Sequence, residues 1–144
     1  MKVISTKIPD VKVIMPDIFE DDRGYFFESF NQKNFNEAIG SRVTFVQDNE
    51  SKSKKGVLRG MHYQKQPFSQ GKLIHVNQGE IFDVALDIRK DSSSYGEWVS
   101  EILSSDNKKQ LWIPEGFAHG FLALSEEVKL IYKTTNYYSK KHEK

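Results

Sequence analysis

The sequence contains no cysteine. Disulfides, thiolate metal sites, iron–sulfur clusters and cysteine nucleophiles are thereby excluded. It also lacks an excess of charge of either sign: 21 Lys and Arg against 20 Asp and Glu leave a formal net charge of +1. A nucleic-acid partner held by a broad basic field is not expected from that balance. No apolar run approaches the roughly 20 residues that a membrane-crossing helix needs, so no membrane partner is expected. The opening segment MKVISTKIPD has no signal-peptide core, because Lys7 and Pro9 interrupt it. The expected address is the cytoplasm. Linkers, low-complexity stretches and fixed-period repeats are missing too, and 144 residues suit one domain spanning 1–144.

What is present is ordinary globular composition, 38% hydrophobic and 28% charged, with ten Phe, six Tyr and two Trp. So many rings in a short chain can fill a core or line a pocket. The local signals are short β runs cut by turns. Strands are predicted over Val3–Ile8, Val11–Met15, Tyr25–Phe30, Val43–Asp48, Val57–Gln64, Lys72–Asn77, Glu80–Arg89, Trp98–Leu103, Gln110–Ile113, Gly120–Leu124 and Lys129–Asn136. Asn31–Ile39 reads as the one helix, with Asn31 as cap, Phe35 and Ile39 four apart, and Gly40 suited to its end. Many short strands and one short helix predict an all-β sandwich or barrel.

Two strands carry unusual polarity. In Glu80–Arg89, Phe82, Val84, Leu86 and Ile88 share one face while Asp83, Ala85 and Asp87 share the other. In Leu58–Gln64, His62 and Gln64 share a face with Leu58 and Gly60. One reading is a sheet with its apolar face buried and its polar face wet. The other is a barrel whose lumen is polar because it holds a ligand.

The four histidines are His62, His75, His119 and His142. Metal-binding barrels offer His-x-His and a carboxylate on one strand and a further His on a later one. Here the first pair is His62-Tyr63-Gln64, so only His62 and His119 supply nitrogen. Transition-metal sites take three or four side chains, so no metal is expected. His75 reads as a surface or hydrogen-bonded residue, and His142 lies in a basic tail expected to be solvated. Proton chemistry suits the remaining groups better. His62 titrates near neutrality and suits a general base. Tyr132 suits delivery of a proton and Lys72 the stabilisation of oxyanion charge; the alternative reading is Tyr132 in a core, Lys72 on the surface and His62 simply hydrogen-bonded. Arg23 and Arg59 suit diphosphate or carboxylate oxygens.

Longer motifs carry a resemblance. They are Asp22-Arg23-Gly24-Tyr25-Phe26-Phe27-Glu28, Phe45-Val46-Gln47-Asp48-Asn49, Leu58-Arg59-Gly60-Met61-His62-Tyr63-Gln64 and Gln70-Gly71-Lys72-Leu73. Phe82 to Arg89, Gln110 to Phe121 and Tyr132 to Tyr138 follow in order. Together they resemble the dTDP-4-dehydrorhamnose 3,5-epimerase family, collinearly over nearly the whole chain. The resemblance implies a jelly-roll, cupin-like β-barrel with one short helix. It also implies a homodimer and an isomerase that needs no cofactor. Such enzymes invert C3 and C5 of a nucleotide-linked 4-keto-6-deoxy sugar on the route to dTDP-L-rhamnose. By the resemblance, His62 is the base, Tyr132 the acid and Lys72 the cation beside the enolate oxygen. His119 contacts the sugar, Arg59 the diphosphate, and Gln47 and Asn49 the nucleotide sugar. Arg23 and Glu28 are expected to do so from the partner subunit, Tyr138 to stack on thymine, and Glu143 to touch substrate.

Family members continue for roughly forty further residues, a segment that holds an Asp orienting the base. The expectation for this chain is a base lacking that Asp, with Asp83 or Asp48 as substitutes. A shortened homologue that binds without catalysis, and a cupin that moves the ketone between C3 and C4, are the alternatives.

Overall fold

The computed structural model describes residues 1–144 as twelve strands and one helix. The strands are β1 (Lys2–Ser5), β2 (Lys12–Met15), β3 (Phe19–Asp21), β4 (Gly24–Phe26), β5 (Gln47–Lys54) and β6 (Leu58–His62). They continue as β7 (Lys72–Gln78), β8 (Glu80–Asp87), β9 (Trp98–Ser104), β10 (Gln110–Ile113), β11 (Phe117–Ala123) and β12 (Glu127–Thr134). A six-stranded sheet, ordered β1-β2-β10-β7-β12-β5, lies with a four-stranded sheet, β6-β11-β8-β9, and the pair β3-β4 forms a separate hairpin. Every pairing is antiparallel, and most spatial neighbours are distant in sequence. This is the expected jelly-roll barrel.

The helix α1 (Gln32–Ile39) forms where predicted. Asn31 Oδ1 accepts from the Asn34 amide, and Gly40 closes the helix in the left-handed conformation. Its buried Phe35 packs edge-on against Trp112, with ring centroids 5.3 Å apart. Phe35, Trp112, Ile14 and Leu73 thus cover the outer face of the six-stranded sheet. Aromatic pairs of this kind contribute about 0.5–1.5 kcal/mol beyond their buried area.

Three expectations are corrected. The strand predicted over Val43–Asp48 runs instead through the polar stretch Gln47–Lys54. Tyr25–Phe30 is extended only through Phe26, where it pairs with Phe19–Asp21. The basic tail is not simply solvated. Tyr63 and Lys144 exchange two backbone hydrogen bonds of 2.9 Å, and the Lys65 amide donates to the His142 carbonyl. His142 also bonds Ser139 and packs on the Phe68 ring.

The barrel interior is apolar at one end. Val76, Ile81, Leu103, Val128 and Leu130 meet there. Toward the other end, where β5 and β7 begin and β6, β8 and β12 finish, the lumen turns polar. Asp83, Ala85 and Asp87 on β8 are buried, while Phe82, Val84 and Leu86 on the opposite face are only partly covered. Of the two readings of this strand, the polar lumen is the correct one.

Candidate active site

His62 and Arg59 both face the lumen although they are three residues apart. In a regular strand, residues at odd spacing point to opposite faces. Here β6 and β11 pair His62 with His119 and Arg59 with Phe121, so β6 carries one extra residue between them. That bulge depends on two close-packed glycines. Gly60 has φ +99, and a Cβ there would lie 2.5 Å from the His119 carbonyl oxygen. A Cβ at Gly120 would lie 2.8 Å from Met61 Sδ and 2.9 Å from the Arg59 carbonyl. Only glycine fits at either position.

Lys72 opens β7 and is buried, at 4% exposure. Its Nζ lies 3.2 Å from His62 Nε2 and 5.9 Å from the centre of the Tyr132 ring. The His62 and His119 rings stand edge to face, 6.1 Å apart. His119 Nε2 is 2.5 Å from Asp83 Oδ1, while Asp83 Oδ2 is buried without a hydrogen-bond partner. Asp83 therefore serves His119 rather than His62, and Asp48 serves Lys133 at the surface. Neither takes the orienting place at His62 that the sequence suggested for them.

Burial, then the charge of Lys72, pushes His62 down to about 4. Burial pushes Lys72 down to about 8, against the opposing pull of Asp83 and Glu143. Burial raises the Tyr132 phenol above its ordinary value, with Arg59 acting in the other sense. At neutral pH the site therefore holds a neutral imidazole, an ammonium and a protonated phenol.

The polar strand β5 supplies the neighbouring wall. Asn49 pairs with Tyr132 across the β5–β12 ladder. Gln47 Nε2 donates to Asn49 Oδ1 at 2.9 Å, and Gln47 Oε1 accepts from the Tyr138 amide at 3.0 Å. Tyr138 Oη donates to Glu143 Oε2 at 2.8 Å, and this bond, with the nearby charge, raises the Tyr138 phenol. Gln64 does not face a ligand position: its amide bonds the backbone of Phe68, Tyr137 and Ser139. Arg59 donates to Ser53 Oγ and the Lys52 carbonyl.

Arg23 and Glu28 are not brought to this cluster. Arg23 sits on the hairpin with a 90% exposed side chain, forked onto Asp21. Glu28 accepts from Asn31 and lines a groove of about 270 Å³ beside α1 and the hairpin. Sequence reasoning missed Asp83 as the partner of His119. Its apolar-flanked position on a lumen-facing strand was the available signal.

A β-barrel with an imidazole, a phenol and an ammonium gathered inside one end defines a class of protein, the cupin-like barrels. The chain belongs to the dTDP-4-dehydrorhamnose 3,5-epimerase family, whose model matches residues 5–144. It is 61% identical over 144 residues to the dTDP-4-dehydrorhamnose 3,5-epimerase of Shigella flexneri, covering all of this chain and 80% of that one. It is similar to the dTDP-6-deoxy-D-glucose-3,5-epimerase of Legionella pneumophila, solved in complex with dTDP-4-keto-L-rhamnose. There the TM-score is 0.96 at 53% identity, covering 99% of this chain and 75% of that chain. A 3′-monoepimerase from Streptomyces bikiniensis, solved with dTDP-quinovose, is 28% identical with a TM-score of 0.90, covering 96% and 70%.

Proposed function

We propose that this chain epimerises a dTDP-linked 4-keto-6-deoxy sugar at C3 and C5, with His62 as base, Tyr132 as acid and Lys72 as the enolate-stabilising cation. The observation that carries this reading is convergence. Three side chains from β6, β12 and β7, in two sheets, meet within one polar lumen.

The chemistry follows from the ketone. A carbonyl at C4 acidifies the hydrogens at C3 and C5, because loss of either proton leaves an enolate. His62 Nε2 takes the proton and becomes imidazolium, while the C–H electron pair moves into the enolate. Negative charge on O4 then meets the Lys72 ammonium. Tyr132 returns a proton from the other face, which inverts the centre. Its raised pKa keeps it protonated until it donates. No atom is oxidised or reduced; each inversion leaves one proton on His62 and one missing from Tyr132, and exchange with solvent restores both without a cofactor.

Arg59 suits the diphosphate, and Gln47, Asn49, His119 and Glu143 suit the sugar and nucleotide. The exposed Tyr138 ring, 54% accessible, offers a stacking platform for thymine. Arg23 and Glu28 act from the partner of a homodimer. This is supported by Phe19, Tyr25 and Phe26, all at least 60% exposed on the same hairpin in the single chain.

Proton NMR of dTDP-4-keto-6-deoxyglucose in D₂O with the protein tests the proposal. Loss of both the C3 and C5 proton signals is expected, and loss of one would make this a single-site epimerase. Retention of both, with thymidine shifts showing bound ligand, would leave a binding protein.

A further inference from the structure

His62 Nε2 is already engaged by a neighbouring cation. His62 Nε2 has one in-plane lone pair, and the Lys72 ammonium stands 3.2 Å from it. At neutral pH Lys72 is the donor and the imidazole nitrogen the acceptor. No carboxylate lies within ion-pair distance of Lys72, and His62 is its one side-chain partner. The other charged or titratable groups around the pair are His119 on β11, Asp83 on β8, Glu143 in the tail, and Tyr132 and Arg59 beside them.

We propose that Lys72 caps the base in the resting protein, and that a ligand carbonyl beside Lys72 takes over this hydrogen bond and thereby releases His62 Nε2 for proton abstraction. The inference rests on the reading of His62 as base. It assigns Lys72 a role before the enolate forms, in addition to the one during it.

Two observations make the cap consequential. A nitrogen whose lone pair already accepts from a cation cannot take a carbon-bound proton. Burial first, and then the same cation, hold His62 near 4, where it is a weak base. Transferring the ammonium to a ketone oxygen frees the lone pair and eases the charge contribution to the low basicity. It also puts the positive charge where enolate charge will grow. A sugar with a hydroxyl at that carbon is a poorer competitor for the ammonium than a polarised ketone. A nucleotide alone has no group at that position. The device thus ties the strength of the base to the presence of the functional group that makes the substrate acidic.

The test is histidine-selective ¹⁵N NMR on the full chain. Free protein and protein saturated with dTDP are each expected to show His62 as the Nδ1–H tautomer, titrating well below 6. The dTDP-4-keto-6-deoxy sugar, which keeps its ketone through either epimerisation, is expected to shift the Nε2 resonance. Lys72→Met is expected to raise the His62 pKa in the free protein. An unchanged His62 titration in Lys72→Met overturns the cap, and so does an Nε2 shift induced equally by dTDP alone. Solvent exchange of C3 and C5 protons by His62→Asn separates the two readings. Undiminished exchange there overturns His62 as base. Lost exchange with a Lys72-independent titration overturns only the cap.

Discussion

Asp83 and Asp87 lie four residues apart on β8, face the same lumen and are both fully buried, yet they are treated oppositely. Asp87 is saturated. Its Oδ1 accepts from the Arg89 amide and Nε, and its Oδ2 from Arg89 Nη2, Ser92 and Ser94. Arg89 reaches on to Asp10 at 2.7 Å and stacks over Phe117. Those bonds hold the carboxyl well below the usual carboxylate range and hold the guanidinium above its own. Asp83 spends one oxygen on His119 and leaves the other unpartnered. A buried polar atom without a partner costs roughly 1–3 kcal/mol, and native proteins tolerate it chiefly where it has a use. Asp87 fastens the loop after β8 to the start of the chain, whereas Asp83 supplies field and orientation to the site.

Substitutions can break this contrast. Asp83→Asn is expected to lower kcat by about 10²-fold with little change in melting temperature. Because the Asp83 charge holds Lys72 up, the alkaline limb of the pH–rate profile should also move to lower pH. Normal kcat and an unshifted profile would reduce Asp83 to a packing residue.

Asp87→Asn is expected to do the reverse, costing about 3 kcal/mol of stability in urea unfolding while the folded fraction keeps its turnover. The acid dependence sharpens the point. Asp87 has a depressed folded pKa, so its stabilisation is present above the unfolded value near 4 and lost as pH falls through the folded one. The deficit of Asp87→Asn should therefore shrink below about pH 4.

Lys72 sharpens the comparison from the cationic side. Its folded pKa lies below its unfolded value, so burying the ammonium costs stability at pH 7, relieved as pH rises from about 8 toward the unfolded value. Lys72→Met is expected to stabilise the fold by roughly 2–3 kcal/mol at pH 7 while abolishing exchange. A destabilised Lys72→Met would show that the ammonium is paired more fully than the geometry indicates. The smallest effect is expected for Tyr138→Phe, which loses one exposed hydrogen bond to Glu143. Stability should stay unchanged, with KM rising a few-fold and kcat unchanged.

Much of this was legible in the residues, and the exceptions have physical causes. The helix and its caps, β10 and the two-faced pattern of β8 follow from local chemistry. The alternation of β8 could not say which face was inside, because a ligand-holding lumen inverts the usual rule. The same inversion hid β5. Its inward residues Gln47, Asn49, Ser51 and Ser53 face the lumen, so the strand lacks the apolar alternation that marks one. His62, Lys72 and Tyr132 were nameable in advance through family resemblance. Their contacts were not, since those depend on register. The tail was misread because its order comes from pairing with residues 63–65, a partner no local pattern announces.

The extra residue in β6 acts like a frameshift. Residues before it are read in one phase against the lumen, and residues after it in the other. Straightening β6 with every residue kept would hold His62 inward against His119, put Gly60 and Leu58 on its face, and turn Arg59 out. Leu58 is now 71% exposed. The barrel would then exchange a guanidinium for an isobutyl group beside His62 with no change in composition at all.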